Sequence, residues 1–369
     1  MKRSSLFRVE IIALVFVAVL WAVNLKTNCV PRATAGALRQ VVKVAPNSQS
    51  AYTMLGRAYH KMNRYADAMK AFGGAKRISM EQSVEANPND ARVHLALGRD
   101  YQYADDDNVE LAIEEYRTAV RIDPSFTVAW LFLGLACEQE DRHEEAMGAF
   151  HEAVRLDPDP RACRCLANVC RKVIKTNPEN MDAHLGLGLA HYQLRELEPA
   201  ITAYEEAVTR DPKCRDAHEW LASCYWESGQ PEKSIETWKR AAEVDSDWTW
   251  PHIRLAFDYN DLARYGESIA AWKTVISHQP NVSGSYVGLG DVYANAGDHD
   301  NAILAYQKAV SLDPENKRAH FCLGKAYIET DKKPLASKEY DVLRELDEEL
   351  AGQLLTLMSN EAGHSEETR

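Results

Sequence analysis

The chain has 369 residues, and at roughly 150 residues per domain that length calls for two or three compact domains or one array of smaller units. Its 43 Lys+Arg against 55 Asp+Glu give a net charge of -12, which disfavours a polyanionic partner, while 18 Gly and 14 Pro are too few for a collagen-like or low-complexity chain. Eight cysteines in so long a chain do not make a disulfide scaffold, which belongs to short chains without enough core.

Residues 1–10 are a basic tail with Lys2, Arg3 and Arg8, and thirteen apolar residues follow from Ile11 to Val23. A bilayer core takes about 20 helical residues and a secretory apolar stretch about 7 to 15, so thirteen is short for a span. Arg8 can snorkel and Trp21 suits an interface, which lengthens the usable segment. The nearest A-x-A, Ala33-Thr34-Ala35, lies beyond Lys26, Pro31 and Arg32, an unfavourable cleavage site. Residues 11–25 therefore read as a single-pass transmembrane anchor, with an uncleaved signal as the alternative. Three Lys/Arg before the segment nearly balance Lys26, Arg32, Arg39 and Lys43 after it. The preferred orientation exports the body to the extracytoplasmic (periplasmic) side, and the cytoplasmic side stays open.

Segment 31–46 has Leu38, Val41 and Pro46 where a second helix of a hairpin would place them, and reads as a half-repeat cap. Beyond it the pairs Leu55-Gly56, Leu97-Gly98, Leu133-Gly134, Leu187-Gly188, Leu221-Ala222, Leu255-Ala256, Leu289-Gly290 and Leu323-Gly324 form a ladder whose last steps are 34 residues. Tyr59, Tyr101, Tyr225, Tyr259, Tyr293 and Tyr327 follow the small residue by three. A further small residue and then an aromatic come later in each unit, as in Ala146 with Phe150 and Ala302 with Tyr306. Pro124, Pro158, Pro212, Pro280 and Pro314 close units.

Spacings of 3, 4 and 7 put the apolar residues on one helix face, the small residues let two helices approach, and Pro stops the second helix. Neither helix buries its face alone, so successive hairpins must stack into a solenoid. These residues resemble the tetratricopeptide repeat family over about 300 residues. The resemblance implies an all-α, right-handed superhelical solenoid of antiparallel helix pairs, here expected behind an N-terminal transmembrane helix. Repeats one to three cover 49–160, a degenerate half-repeat 161–180, repeats four to eight 181–350, and a cap helix with a polar tail 350–369. Repeat one carries extra residues before Pro88, which predicts a second helix lengthened through Val84. Repeat two has two extra residues in its turn, Asp105-Asp106-Asp107-Asn108. The missing first helix at 161–178 predicts a kink or a division into two sub-arrays.

No catalytic motif survives inspection: there is no H-E-x-x-H, P-loop, C-x-x-C or G-x-S-x-G. No enzyme activity, cofactor or metal is expected. His94, His184, His218, His252 and His320 recur at one repeat position, alternating with Tyr52, Trp130 and Tyr286. Two packed helices at about 8 to 10 Å each separate equivalent residues, while zinc ligands lie about 2 Å from the metal, so the ladder reads as packing. Cys163, Cys165 and Cys170 read as small buried residues, since Cys163 and Cys170 are about 10.5 Å apart along one helix.

The resemblance further implies a ligand groove lined by the first helices, at the second, fifth, ninth, twelfth and thirteenth positions of each repeat. Those positions give a basic start, Arg57, Lys61, Arg92 and Arg99, with His60 beside them. The middle is apolar: Val128, Leu131, Leu135, Leu185, Leu189 and Tyr192, then Trp226, Trp250, Ile253 and Phe257. The end is polar, with Asp291, Asn295, Lys325 and Glu329. The expected function is a membrane-anchored, non-catalytic scaffold that binds a peptide segment or partner subunit in this groove during assembly of a larger complex. An acidic-apolar partner fits, nucleic acid does not, and chaperone C-termini are disfavoured because Thr53 and Arg57 depart from a carboxylate clamp. Self-assembly and a regulatory accessory role are the alternatives.

Overall fold

The computed structural model describes residues 31–104 and 108–367. The expected membrane segment 11–25 and the turn residues Asp105–Asp107 lie outside them. Among the described residues all regular structure is helical, in nineteen helices. They are α1 Pro31–Val44, α2 Gln49–Lys61, α3 Tyr65–Ala86, α4 Ala91–Ala104, α5 Val109–Ile122, α6 Thr127–Gln139, α7 His143–Leu156, α8 Pro160–Thr176, α9 Met181–Gln193 and α10 Leu197–Arg210. The remainder are α11 Arg215–Glu227, α12 Pro231–Val244, α13 Trp250–Asp261, α14 Tyr265–His278, α15 Ser283–Asn295, α16 His299–Leu312, α17 Lys317–Glu329, α18 Lys333–Leu346 and α19 Glu348–Glu367. None of these helices is long and apolar enough to cross a membrane.

The chain divides into two compact units, 1–195 and 196–369. In the N-terminal unit α2 packs on α3, α4 on α5 and α6 on α7, and each second helix also packs on the first helix of the next pair. The half-repeats appear as single helices: α1 lies against α2, and α8 lies between α7 and α9. One added helix shifts the alternation. Before α8 first helix touches first helix, α4 with α6, whereas α9 touches α7, the second helix of its pair. Helix α3 runs to Ala86, two residues past the predicted lengthening.

In the C-terminal unit α11 with α12, α13 with α14, α15 with α16 and α17 with α18 form the hairpins. Helix α19 closes the array by burying Ala351 and Leu354. Leu354 covers Gly324, with its Cδ2 2.6 Å from where a Cβ would stand, and so takes the place that an aromatic has elsewhere.

Two local devices make the hairpins. An aromatic of a second helix lies against a small residue of a first helix, in its own hairpin or the next: a Cβ on Gly134 would stand 2.5 Å from the Phe150 ring of the same hairpin, and one on Gly288 would stand 2.3 Å from the Trp272 indole of the preceding hairpin. Only glycine permits that approach. In the seven hairpin turns that are fully described one residue has positive φ: Asn63, Asp141, Arg195, Gly229, Ala263, Gly297 and Asp331. At the helix starts Ser48, Asn180 and Asn316 accept hydrogen bonds from the backbone N–H three residues on. Asp159 does the same for α8, with Pro160 at its first turn.

Candidate functional site

Four of the five recurring histidines share a structural task, while His252 stands edge-on to His278. Nε2 of His94, His184, His218 and His320 meets the carbonyl oxygen of the proline six residues earlier, Pro88, Pro178, Pro212 and Pro314, at 2.9 to 3.0 Å. Trp130 Nε1 donates to Pro124 O at 2.9 Å and Tyr286 Oη to Pro280 O at 3.2 Å. The position accepts His, Trp or Tyr because each carries a donor at the right reach to satisfy the carbonyl left at the turn between repeats. His94 and His320 add a second bond through Nδ1, to Glu115 and Glu339. Burial lowers the pKa of His218, which keeps that imidazole neutral.

The cysteines are likewise interior groups. Cys163 and Cys170 are buried in the core around α8, and Cys165 packs against it. Burial pushes the Cys170 and Cys224 thiols up to about 12, and Cys137 and Cys322 up to about 11. Thiols so shifted stay protonated at neutral pH and are poor nucleophiles. No group of three or more His, Cys, Asp or Glu side chains is arranged to hold a metal among the described residues.

In the N-terminal unit the candidate groove residues separate into two kinds. Arg57, Lys61, Arg92 and Arg99 are exposed. The Arg99 guanidinium lies 5.0 Å from the Phe132 ring centre. Leu131, Leu135 and Leu189 are half-buried and pack against the unit's core, so their apolar area is largely used in folding. Leu185 and Tyr192 are half-buried as well, with the Arg195 guanidinium 5.9 Å from the Tyr192 ring. Because α9 sits beside α7, the Leu131/Leu135 and Leu185/Leu189 pairs belong to helices that alternate differently on the two sides of α8.

In the C-terminal unit the first helices α13, α15 and α17 enclose a cavity of 360 Å³. It brings together Phe257, Asp291, Asn295, Lys325 and Glu329 of the sequence-derived set. Trp226, Trp250 and Ile253 are not among its lining residues; Trp250 is exposed at the start of α13, Ile253 packs on the core and Trp226 is half-buried. The lining also holds Asn260, Arg318 and Phe321, which fall on the same repeat positions but are not in the sequence-derived set. Trp272 and Tyr306 come from second helices and carry no such signal.

The cavity has an apolar wall and a charged one. Phe257, 46 % exposed, stands edge-on to Trp272 with ring centres 5.5 Å apart. Opposite, the Asp291 carboxylate accepts hydrogen bonds from Tyr306 Oη and Arg318 Nη2, both at 2.8 Å. Burial first and Asp291 second hold the Tyr306 phenol far above its ordinary range, so it remains a donor. Asp291 also raises the pKa of Arg318. Asn295 Nδ2 donates to Asn260 Oδ1 at 3.0 Å, joining α15 to α13 along the cavity's edge. Such a surface offers amide donors and acceptors, cations at Lys325 and Arg318, the latter paired with Asp291, several aromatic side chains, and no activated nucleophile.

Sequence profiles of the tetratricopeptide repeat match residues 49–90, 95–159, 167–213, 198–248 and 290–331. The chain is similar to the Arabidopsis thaliana tetratricopeptide repeat domain-containing protein PYG7, chloroplastic, with 32 % identity over 74 residues, 20 % of this chain and 24 % of that protein. It thus spans about a quarter of the length of that curated relative. Among solved structures, MamA is 26 % identical with a TM-score of 0.40, covering 45 % of this chain and 97 % of that one. Yeast Tom70 is 13 % identical with a TM-score of 0.40, covering 95 % of this chain and 89 % of its own.

Proposed function

Since the chain is a tetratricopeptide repeat protein, a family that generally serves as protein–protein interaction scaffolds, we propose that it acts without catalysis by binding an extended segment of a partner protein across α13, α15 and α17. The observation that carries this reading is the cavity between those helices, where exposed Phe257 faces the Asp291–Arg318 pair and Lys325. A segment with an apolar side chain next to an acidic one matches it: the first would stack on Phe257 and Trp272, the second would meet Lys325. Each large apolar side chain buried contributes about 1.5 to 3 kcal/mol against an association cost of about 4 to 15 kcal/mol, so one such contact gives weak binding and the scaffold depends on a longer segment or on tethering. The proposal retains a membrane anchor in residues 11–25, an extracytoplasmic body and a role in assembling a larger complex. Selection of displayed peptides on the full chain, followed by titration, tests it. Phe257→Ala with Lys325→Glu should weaken selected peptides at least tenfold, and peptides that bind both proteins equally would remove the cavity from the function.

A further inference from the structure

The start of the repeat array is basic, whereas the sequence that follows, taken together, is acidic. Residues 31–80 carry nine Lys/Arg and one acidic residue, Asp67, whereas residues 81–369 carry 30 Lys+Arg against 53 Asp+Glu. This basic end also exposes carbon. Tyr65, Met69 and Phe72, at i, i+4 and i+7 on α3, are 56 %, 75 % and 39 % exposed. In five later repeats the register of Met69 is buried, as Ile113, Met147, Ile201, Ile235 and Ile303. The terminal units of a repeat array need a polar outer face to stay dispersed, and the other end has α19, which opens on Glu348 and Glu349. Helix α3 instead sets its apolar stripe among Lys61, Lys70 and Lys76, with the His60 ring edge-on to Tyr65 and Lys76 paired to Asp100 at 2.5 Å.

We propose that the α3 stripe and the basic surface around it rest on the headgroup layer of a bilayer that contains anionic lipids. Aromatic and Met side chains bordered by lysines suit that interface, where the carbon enters the acyl boundary and the ammonium groups stay at the phosphates. Each Lys or Arg near an anionic surface strengthens partitioning about fivefold, and the strongly acidic remainder is repelled by the same surface, which orients the molecule. Chain length agrees. Residues 24–30 between the apolar segment and Pro31 reach at most about 25 Å when fully extended. Ala35 and Leu38 of α1 share one apolar cluster with Ala68 and Ala71 of α3, so a membrane-held residue 23 keeps α3 near the headgroups. This contact adds to the membrane placement proposed above, and the experiment tests the two separately.

The full chain carrying Phe16→Asp and Val19→Asp, which prevents insertion of residues 11–23, is sedimented with vesicles of phosphatidylcholine alone and with about 30 % phosphatidylglycerol, at low and high salt. It should partition to the anionic vesicles at least tenfold more than to the neutral ones, and high salt should release it. Adding Met69→Glu and Lys70→Glu should lower that partitioning at least tenfold with an unchanged thermal melt, because both side chains are exposed; Phe72, which covers Gly56, is left in place. Equal binding to both vesicle types, or full binding after the α3 substitutions, overturns the inference. So does a dimer of the chain that Met69→Glu dissolves, since the stripe would then be covered by a second copy. The unsubstituted chain binding no better than the Phe16→Asp, Val19→Asp chain counts against the anchor and leaves the α3 surface standing.

Discussion

The two compact units fill their cores differently. Among the described residues the only buried polar side chains of the N-terminal unit are His94, His184 and His191, whereas the C-terminal unit buries Ser234, Thr237, Asp258, Ser268, Ser283 and Ser285 besides its histidines. The repeat backbone makes this possible by bringing an acceptor within reach of each hydroxyl. Ser268 Oγ donates to Ala256 O at 2.6 Å, Ser283 Oγ to Ala309 O at 3.0 Å and Thr237 Oγ1 to Lys233 O at 2.8 Å. A satisfied hydroxyl adds little net stability and removes apolar area, so the C-terminal unit has less driving force in its core. The same repeat thus gives one unit whose core is almost wholly apolar and one whose core also carries hydroxyls and a carboxyl.

Removing the aromatic between α14 and α15 tests that contrast most severely. Trp272→Ala takes away a buried indole seated on Gly288 and should cost about 3 to 5 kcal/mol. In a repeat array, stability is close to a sum over neighbours, so hydrogen exchange should speed up across 250–330 and remain slow across 109–170. Uniform loss of protection would mean that the two cores do not differ in local stability.

A smaller effect separates an interior repeat from the first one. Gly134→Ala pushes a methyl into Phe150, which is fully buried and has nowhere to move, and should destabilise by about 1 to 3 kcal/mol despite better helix propensity. At the equivalent Gly56 the facing ring is Phe72, 39 % exposed and able to swing outward. Gly56→Ala should therefore be near neutral in urea denaturation. Equal losses at both glycines would show Phe72 to be as constrained as Phe150.

Much of this was legible in the sequence because a period of 34 with fixed glycine and aromatic positions leaves one hairpin geometry open. Helix α3 running past Val84 and the lone helix α8 both follow from counting residues between prolines. The groove was legible only in part. Of the positions named from the sequence, Phe257, Asp291, Asn295, Lys325 and Glu329 line the cavity, and Asn260, Arg318 and Phe321, at the same repeat positions, join them. The position rule includes Leu131 and Leu135, which pack against the core, because apolar character does not tell whether a neighbour already covers the side chain. Tyr306 and Trp272 escape it because they reach the cavity from second helices. Phe72 reads as core by its register but is 39 % exposed.

Asp258 gives the comparison a pH axis. The same register holds Asp100 in the N-terminal unit, paired with Lys76, and Asp258 in the C-terminal unit, only 3 % exposed and accepting a hydrogen bond from Ser234 Oγ at 3.0 Å. Burial raises the Asp258 pKa, outweighing the Ser234 bond and the nearby Arg254. A carboxyl whose folded pKa is raised binds its proton more tightly when folded, so its contribution to stability falls as pH rises from the ordinary carboxylate range, about 4, through the raised value. Asp258→Asn should then stabilise by about 1 kcal/mol at pH 7, with the difference shrinking toward zero below about pH 4. An Asp258→Asn chain that melts below the wild type at neutral pH would show the carboxylate to be compensated by its surroundings.

The smallest effect expected lies in the hairpin turn. Ala263 holds φ at 55°, where its Cβ crowds the following carbonyl, while Gly229 and Gly297 occupy the same turn position in neighbouring repeats without that crowding. Ala263→Gly relieves strain of about 1 to 2 kcal/mol but gives the unfolded chain more freedom, about 0.4 to 1 kcal/mol in the other direction. The net should be a gain of about 0.5 to 1 kcal/mol, read as a higher urea midpoint at unchanged slope. Gly229→Ala should show a loss of similar size, because it installs the same crowding in a turn that now lacks it. If both substitutions move the midpoint in one direction, backbone strain is not what distinguishes these turns.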